Sequence, residues 1–307
     1  MTSTPTYLLE ELEPVVAENL DRHLSMAQEW HPHDYVPWSK GRDFAFLGGE
    51  DWSPEQSQLS ETAKAAMFTN LLTEDNLPSY HREIATRFGR DGAWGTWVGR
   101  WTAEENRHGI AMRDYLVVTR GVDPVELEQA RMDYMTSGYD SGEKTVLEAV
   151  TYVSFQELAT RVSHRNTGRF TDDPMADQLL ARIAADENLH MIFYRNLLNA
   201  ALQISPDQTM RAITDVVKTF EMPGTGIPGF QRKAVEMAVA GIYDIRQHRD
   251  DVVAPVLRFW KVFEIEGLSD EGEQARTELA GLMEDLEKQA LRFEDKRDML
   301  RARMAPR

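Results

Sequence analysis

The sequence predicts an all-α protein, and three observations lead to that prediction. Helix-forming residues dominate its 307 positions, and turn signals are sparse. No segment of useful length alternates apolar and polar residues as a half-buried strand does. Between the glycine and proline breakers lie four stretches that would each be ~40–50 Å long as a helix, at residues 55–88, 92–120, 143–170 and 175–202. Four such helices with short or moderate connections are typical of a four-helix bundle.

Shorter helices are predicted to flank this bundle. Asp123-Pro124 is a typical N-cap and first-turn pair, which marks the start of one of them. The flanking helices are expected at residues 7–25, 124–136, 206–221, 230–242, 252–264 and 269–304. We expect a single domain over 1–307, with the bundle core at about 55–202 and with segments 1–54 and 203–307 packed around it.

Composition excludes several classes of protein. The chain has 34 Lys and Arg against 51 Asp and Glu, a net charge of −17, so it is a poor candidate for binding nucleic acids or anionic membranes, which need a basic face. It has no cysteine, which excludes thiolate zinc sites and Cys-ligated clusters and fits a reducing compartment. No basic leader and no apolar run of ~20 residues is present. We therefore expect a cytoplasmic protein without a membrane span.

Two of the eight histidines follow a glutamate by three positions. These pairs lie in Thr-Ala-Glu-Glu-Asn-Arg-His (102–108) and Ala-Ala-Asp-Glu-Asn-Leu-His (184–190). Residues three apart share a helix face, so each pair presents one carboxylate and one imidazole to the same point. A single Glu-x-x-His is weak evidence, because a glutamate-rich chain produces one by chance.

An internal repeat strengthens the signal. A further glutamate precedes each pair, Glu74 before Glu105 and Glu157 before Glu187, and the two separations differ by a single position. The offset between the two halves is also constant to within one position, whether it is counted from the lone glutamates, the paired glutamates or the histidines. The sequence therefore contains two copies of a Glu … Glu-x-x-His unit.

Hairpin geometry places each repeat unit at one level of the bundle. In an antiparallel helix pair, residues equidistant from the loop lie at the same height. The midpoint of Glu74 and Glu105 falls within residues 89–92, and that of Glu157 and Glu187 falls at residue 172, both within predicted turns. Docking the two hairpins would bring four glutamates and two histidines together. Such a set is typical of the carboxylate-bridged di-iron or di-manganese site of ferritin-like bundles.

Neighbouring residues are candidates for supporting roles. Glu104 and Asp186 occupy equivalent positions of the repeat, and each can turn toward the ligand histidine of the other half to accept its second N–H. Trp101 shares the helix face of Glu105, where it serves either redox chemistry or core packing. His81 and His164 have no acidic partner three residues away, so we interpret them as packing or surface residues.

Four segments of the chain resemble the soluble acyl-ACP desaturases, which include plant stearoyl-ACP desaturase and its closer mycobacterial relatives. These segments are Thr-Glu-Asp-Asn-Leu-Pro-Ser-Tyr (73–80), Trp-Thr-Ala-Glu-Glu-Asn-Arg-His (101–108), Tyr-Val-Ser-Phe-Gln-Glu-Leu-Ala-Thr (152–160) and Ala-Ala-Asp-Glu-Asn-Leu-His (184–190). The resemblance runs from about residue 8 to past 260. All six metal-ligand positions of that family are present: Glu74, Glu105, His108, Glu157, Glu187 and His190.

The resemblance also implies roles outside the ligand set. Thr160 falls where the family has a threonine near the oxygen-binding face, and Trp30, His108 and Asp186 fall on its route for electrons. The implied reaction is an O₂-dependent desaturation of an acyl chain on acyl carrier protein, with two iron ions as cofactor and manganese as a possible substitute on recombinant loading. A ferredoxin-type reductant and a homodimer are implied as well.

Other functions of a di-metal bundle remain open at this point. An iron-storage or ferroxidase bundle, a hydroxylase, an N-oxygenase and a catalytically silent binding protein would share the fold. Acyl carrier protein and ferredoxins are usually acidic, so a local basic patch is expected to offset the charge of −17. The candidate patches are Arg232-Lys233, Arg246 with Arg249, and Arg258 with Lys261.

Overall fold

The computed structural model describes residues 5–139, 142 and 144–304, and every regular element within these ranges is a helix. The α-helices are α1 Pro5–Met26, α2 Pro32–Tyr35, α3 Glu61–Asp75, α4 Leu77–Phe88, α5 Gly92–Val118, α6 Pro124–Ser137, α7 Val146–Phe170, α8 Pro174–Ile204, α9 Pro206–Thr219, α10 Phe230–Ala240, α11 Ile245–Gln247, α12 Ala254–Trp260 and α13 Asp270–Met304. Short 3-10 turns cover Trp38–Lys40, Ala45–Leu47 and Pro54–Gln56, and a π-helical segment, His248–Val253, joins α11 to α12. The all-α prediction is confirmed.

The predicted bundle consists of α3 with α4, α5, α7 and α8. The turn between α7 and α8 lies where the repeat predicts it, and Asp172 there adopts a left-handed conformation with φ +54°. The carboxylate of Asp173 then accepts the backbone N–H of Met175, so it caps the start of α8. Helix α7 begins at Val146, and residue 143, where the sequence predicts its start, lies outside the described residues.

The first bundle helix is not continuous, so the prediction of one helix over 55–88 is wrong. It begins at Glu61, because the Ser60 hydroxyl accepts the N–H of Ala63 as an N-cap. It then breaks at Asn76, between α3 and α4. Pro78 explains the break, since it has no N–H to donate and its ring clashes with the carbonyl four residues earlier, that of Glu74. The helix therefore ends one residue after Glu74.

Flanking helices cover the bundle on both sides. Helix α1 packs on α5 and α8, while α9 packs on α7 and carries α13 on its outer face. In the core, the Trp97 ring stacks on Phe193 at 3.5 Å between centroids. No helix in the described part of the chain combines the length and the apolar character that crossing a bilayer needs.

Ion pairs attach the C-terminal helix α13 to α11 and to the π-helical segment that follows α11. The Arg246 guanidinium lies 2.7 Å from Glu287 and 3.0 Å from Glu294, and Arg249 lies 3.0 Å from Glu287. The prediction that Arg246 and Arg249 form a basic docking patch is therefore wrong, because acids of α13 neutralise both.

His248 makes the stability of the fold pH-dependent. Its ring stacks on Phe220 at 4.8 Å, and burial lowers the pKa of His248 to about 4. In the unfolded chain the pKa of His248 is ~6.5, so there the side chain binds a proton that the folded protein excludes. Stability is therefore complete above about pH 6.5 and falls as pH drops toward about 4. At about pH 5 the loss is about 2 kcal/mol.

We expect His248→Gln to remove this loss. Urea unfolding near pH 7.5 and near pH 5 measures the free energy of unfolding of wild type and variant, and wild type should lose about 2 kcal/mol more than the variant. Equal losses in the two proteins would show that His248 is not the responsible group.

Candidate metal centre

The six predicted ligand side chains meet in the middle of the bundle. All of them are buried. They come from four helices: Glu74 from α3, Glu105 and His108 from α5, Glu157 from α7, and Glu187 and His190 from α8. They form two overlapping groups in which the ligand atoms lie within 4.8 Å of one another, and each group holds one histidine. The two hairpins thus bring together the six side chains that the repeat predicts.

Glu105 and Glu187 belong to both groups. Oε2 of Glu105 lies 3.7 Å from His108 Nδ1, and Oε1 lies 2.8 Å from His190 Nδ1. Likewise Oε1 of Glu187 lies 3.4 Å from His108 Nδ1, and Oε2 lies 3.9 Å from His190 Nδ1. Each carboxylate therefore presents one oxygen to each side, which is the arrangement that bridging two ions requires.

Glu74 and Glu157 each belong to one group only. Oε2 of Glu74 lies 3.7 Å from His108 Nδ1, and Oε2 of Glu157 lies 3.5 Å from His190 Nδ1. A twofold-like arrangement follows, with one terminal carboxylate and one imidazole on each side of the shared pair. Residues at equivalent positions of the repeat therefore occupy equivalent places on the two sides.

The inward-facing atoms of the cluster have no hydrogen-bond partner among the described residues. These buried atoms are Glu105 Oε1, Glu157 Oε2, both carboxylate oxygens of Glu187, and Nδ1 of His108 and His190. The short approach of His190 Nδ1 to Glu105 lacks hydrogen-bond geometry. Buried polar atoms left without partners are unfavourable. Six of them converging on one space therefore fit a pair of divalent ions, which would take them as ligands.

Outward-facing atoms of the two histidines are paired with acids, as the repeat predicts. His190 Nε2 lies 2.9 Å from Glu104 Oε2, and His108 Nε2 lies 3.4 Å from Asp186 Oδ2. A carboxylate at Nε2 favours the tautomer that leaves Nδ1 free for a metal. Both acids thus orient a histidine of the other half of the repeat.

Two tryptophans donate hydrogen bonds to acids of the site, one to Asp186 and the other to the candidate ligand Glu157. The indole N–H of Trp30 donates to Asp186 Oδ2 at 2.7 Å, and that of Trp101 donates to Glu157 Oε1 at 3.1 Å. Trp101 is therefore more than core packing, because it holds the outer oxygen of a terminal carboxylate. The redox roles of both residues stay predictions.

His164 is a supporting residue that the sequence reasoning missed. It is buried, and its Nε2 lies 2.8 Å from Glu74 Oε1, so the interpretation of His164 as packing or surface is wrong. His81 occupies the equivalent repeat position, seven residues after Glu74, and contacts the Thr102 hydroxyl instead. The break after Glu74 explains the difference, since α7 runs unbroken from Glu157 to His164 while α3 does not continue to His81.

Electrostatics of the metal-free cluster favour bound protons. Burial disfavours a charged His108, but the neighbouring carboxylates of Asp186 and Glu105 outweigh it and hold the pKa of His108 well above its usual value. Burial, together with the charges of Glu105 and Glu157, raises the pKa of Glu187 well above its usual range. Metal ions must displace these protons, so metal binding should release protons to solvent.

A mostly apolar cleft between α4 and α7 reaches this cluster. Its inner part is lined by Glu74, Glu105 and Trp101. The remaining lining includes Leu77, Tyr80, Ile84 and Arg87 from α4, and Ala149, Tyr152, Val153, Gln156 and Thr160 from α7. The α7 positions recur every three or four residues, so one face of that helix forms a wall.

Thr160 lines this cleft one helical turn beyond Gln156. Its hydroxyl donates to the backbone carbonyl of Gln156 at 2.9 Å and lies 3.0 Å from the side-chain nitrogen, Nε2, of the same residue. The structure therefore places Thr160 on the wall that leads to the cluster. Its predicted role near an oxygen-binding face stays a prediction.

Fold and site together define a class: a ferritin-like helical bundle with a carboxylate- and histidine-rich candidate di-metal centre that opens on an apolar cleft. The fatty acid desaturase family matches residues 5–306, nearly the whole chain. The chain belongs to this family.

Individual relatives agree with this assignment. The chain is 56% identical over 299 residues to the putative acyl-[acyl-carrier-protein] desaturase DesA1 of Mycobacterium tuberculosis, covering 95% of this chain and 88% of the relative. It is 31% identical to a chloroplastic stearoyl-[acyl-carrier-protein] 9-desaturase of Oryza sativa subsp. japonica, covering 97% and 80%. The X-ray structure of putative acyl-ACP desaturase DesA2 from Mycobacterium tuberculosis superposes with a TM-score of 0.73 at 36% identity, covering 88% of this chain and 99% of that one.

Proposed function

We propose that this protein inserts a cis double bond into a fatty acyl chain carried on acyl carrier protein, using O₂ and two electrons. The observation that carries the proposal is the cleft between α4 and α7, whose inner lining includes Glu74 and Glu105 of the buried cluster. An acyl chain in this cleft would lie beside the candidate metal centre. The names of the relatives reported above state the same class of substrate, a fatty acyl chain on acyl carrier protein.

The cleft's own residues bind and orient the substrate. Apolar side chains such as Leu77, Ile84 and Val153 remove the acyl chain from water, which favours binding in proportion to the area they cover. Holding the chain in one register fixes which carbons face Glu74 and Glu105, and so fixes the position of the double bond.

Six side chains would hold two iron ions. Glu74 and His108 would bind one ion, Glu157 and His190 the other, and Glu105 and Glu187 would bridge them. A ligand set rich in carboxylates with one imidazole per ion suits iron, and also manganese. When bound, the metal pair supplies the oxidising chemistry that removal of hydrogen from an unactivated C–H bond needs.

A ferredoxin-type reductant is proposed as the electron donor. Support comes from the contacts that connect Trp30 through Asp186 to His108, at 2.7 and 3.4 Å. Arg107 adds to this path, since its guanidinium lies 4.5 Å above the Trp30 ring and 3.0 Å from Asp186. These contacts join the N-terminal segment to one side of the cluster.

Docking of acidic partners is proposed at the remaining basic candidates. Arg232 on α10 and Arg258 on α12 are exposed, as is Lys261. Lys233 is less suitable, because its ammonium lies over the Phe68 ring and burial lowers its pKa. The cytoplasmic location and the single domain over 1–307 are parts of the same proposal.

A direct assay tests the proposed reaction. Iron-loaded protein, reduced ferredoxin, O₂ and a panel of acyl-ACPs of different chain length are combined, and the products are read by mass. We expect an acyl product lighter by two hydrogen atoms. A product heavier by one oxygen atom would indicate a hydroxylase instead. Iron uptake without any change in the acyl chain would favour the storage or ferroxidase alternative.

A homodimer is proposed as the assembly. Exposed apolar side chains support it, for example Val125 and Met132, which lie seven residues apart on one face of α6 and are 62% and 57% exposed. Light scattering should give a mass of twice the 35.1 kDa of one chain at micromolar concentration. A mass equal to one chain would contradict this prediction.

A further inference from the structure

Helix α1 contributes a buried histidine to the edge of the metal centre. His23 is only 1% exposed, and its Nε2 lies 2.9 Å from Glu104 Oε2. The same carboxylate oxygen lies 2.9 Å from Nε2 of the candidate ligand His190. One oxygen of Glu104 therefore connects a helix outside the bundle to a metal-binding imidazole.

The other half of the repeat has an equivalent connection. Asp186 is the counterpart of Glu104 in the repeat, and each acid is paired with an arginine four positions earlier on its own helix, Arg182 or Arg100. The N-terminal segment supplies a further partner on both sides, and Asp186 contacts Arg107 as well. Trp30 donates to Asp186, as described above, and His23 occupies the corresponding place at Glu104.

We propose that His23 is a positioning residue for His190 and acts through Glu104. This inference rests on the metal centre of the proposed function. The carboxylate oxygen accepts two N–H groups, one from His23 and one from His190, and this pairing fixes the His190 ring with Nδ1 facing Glu105 and Glu157. Loss of the His23 donor leaves the buried carboxylate less well held, so the imidazole that it orients is less well held too.

The ring of His23 also packs in the core, so a structural role must be separated from a positioning role. It meets the edge of Trp97 at 5.0 Å between centroids. His23→Leu keeps most of the volume and removes the donor. His23→Gln keeps a donor the same number of bonds from the backbone. A packing role predicts similar behaviour for the two variants, whereas a positioning role predicts rescue by glutamine.

Binding of Co²⁺ to the metal-free full-length protein, followed by visible absorption, measures the affinity of each ion without any substrate. We expect His23→Leu to bind one of two ions ~10–100-fold more weakly, the range found when an outer partner of a ligand histidine is lost. His23→Gln should stay within about 3-fold of wild type, well below that range. His81→Leu is the matched control, because His81 also bonds a side chain, Thr102, but touches neither acid.

Three results would overturn this inference. His23→Leu binding both ions as wild type does would show that the contact has no effect on the metal site. Equal weakening in the leucine and glutamine variants would assign the effect to packing. Wild-type protein that binds fewer than two ions would refute the metal centre, and the positioning role with it. Two-ion binding by a wild type that does not desaturate acyl-ACP would refute only the proposed reaction.

Discussion

Glu105→Ala and Glu187→Ala are each expected to strip the protein of metal and to abolish desaturation. Each carboxylate presents one oxygen to the His108 side and one to the His190 side, so its loss would remove a ligand from both ions of the proposed centre. The affinity should fall by more than the ~10–100-fold that loss of an outer partner causes. Metal analysis after dialysis and the acyl-ACP assay measure the two effects.

The helical circular dichroism of these variants should stay mostly intact, because packing of apolar helix faces, rather than metal, stabilises the bundle. His81→Ala is the control, since His81 is not one of the six candidate ligands and its ring contacts the Thr102 hydroxyl instead. His164→Ala does not serve as a second control, because His164 contacts Glu74. Full metal occupancy in both glutamate variants, or turnover in either, would contradict the bridging assignment.

Ala149→Trp is expected to abolish turnover of long acyl-ACPs while leaving metal content unchanged. Ala149 lies on the α7 face that forms one wall of the cleft and is not one of the six candidate ligands; it precedes Glu157 on that helix by about two turns. An indole there fills space that the acyl chain needs. Displacement of a substrate by ~1 Å can reduce a rate ~100-fold, so exclusion of the chain should cost at least that. Steady-state desaturation with metal analysis of the same sample tests the prediction.

The same substitution elsewhere controls for the general effect of a large side chain. Ala280 is exposed on α13 and does not line the cleft, so Ala280→Trp should desaturate at the wild-type rate. If Ala149→Trp retained full turnover with every acyl-ACP, the substrate would have to reach the cluster by another path. Loss of metal in Ala149→Trp would instead reveal a distortion of α7.

Much of the site could be predicted because its geometry is local. The i, i+3 spacing places Glu105 with His108 on one face of α5, and equal distances from a turn place Glu74 at their level. The repeat offset also places Glu104 and Asp186, whose side chains pair with the opposite histidines. All of these relations follow from helix rise and rotation, which depend little on what packs around the helix.

Other parts of the site depend on relations that no spacing reveals. The break at Asn76 has a sequence signal, Pro78. A proline within a helical pattern can either break the helix or only kink it, so Pro78 alone does not predict the break. Because of that break, His164 contacts Glu74 while the equivalent His81 does not. The charge pattern likewise did not show that Arg246 and Arg249 are neutralised by α13.

The sequence by itself determined an all-helical chain, two hairpins and the six side chains that meet between them, because each of these depends on residue type and on distance along a helix. Only the tertiary structure decided which further side chains meet Glu104 and Asp186 around the six. The partners His23 and Trp30 lie 81 and 156 residues from the acids that they contact. Contacts of that range are selected by how α1 and the segment after it pack against the finished bundle, and no pattern within either segment specifies them.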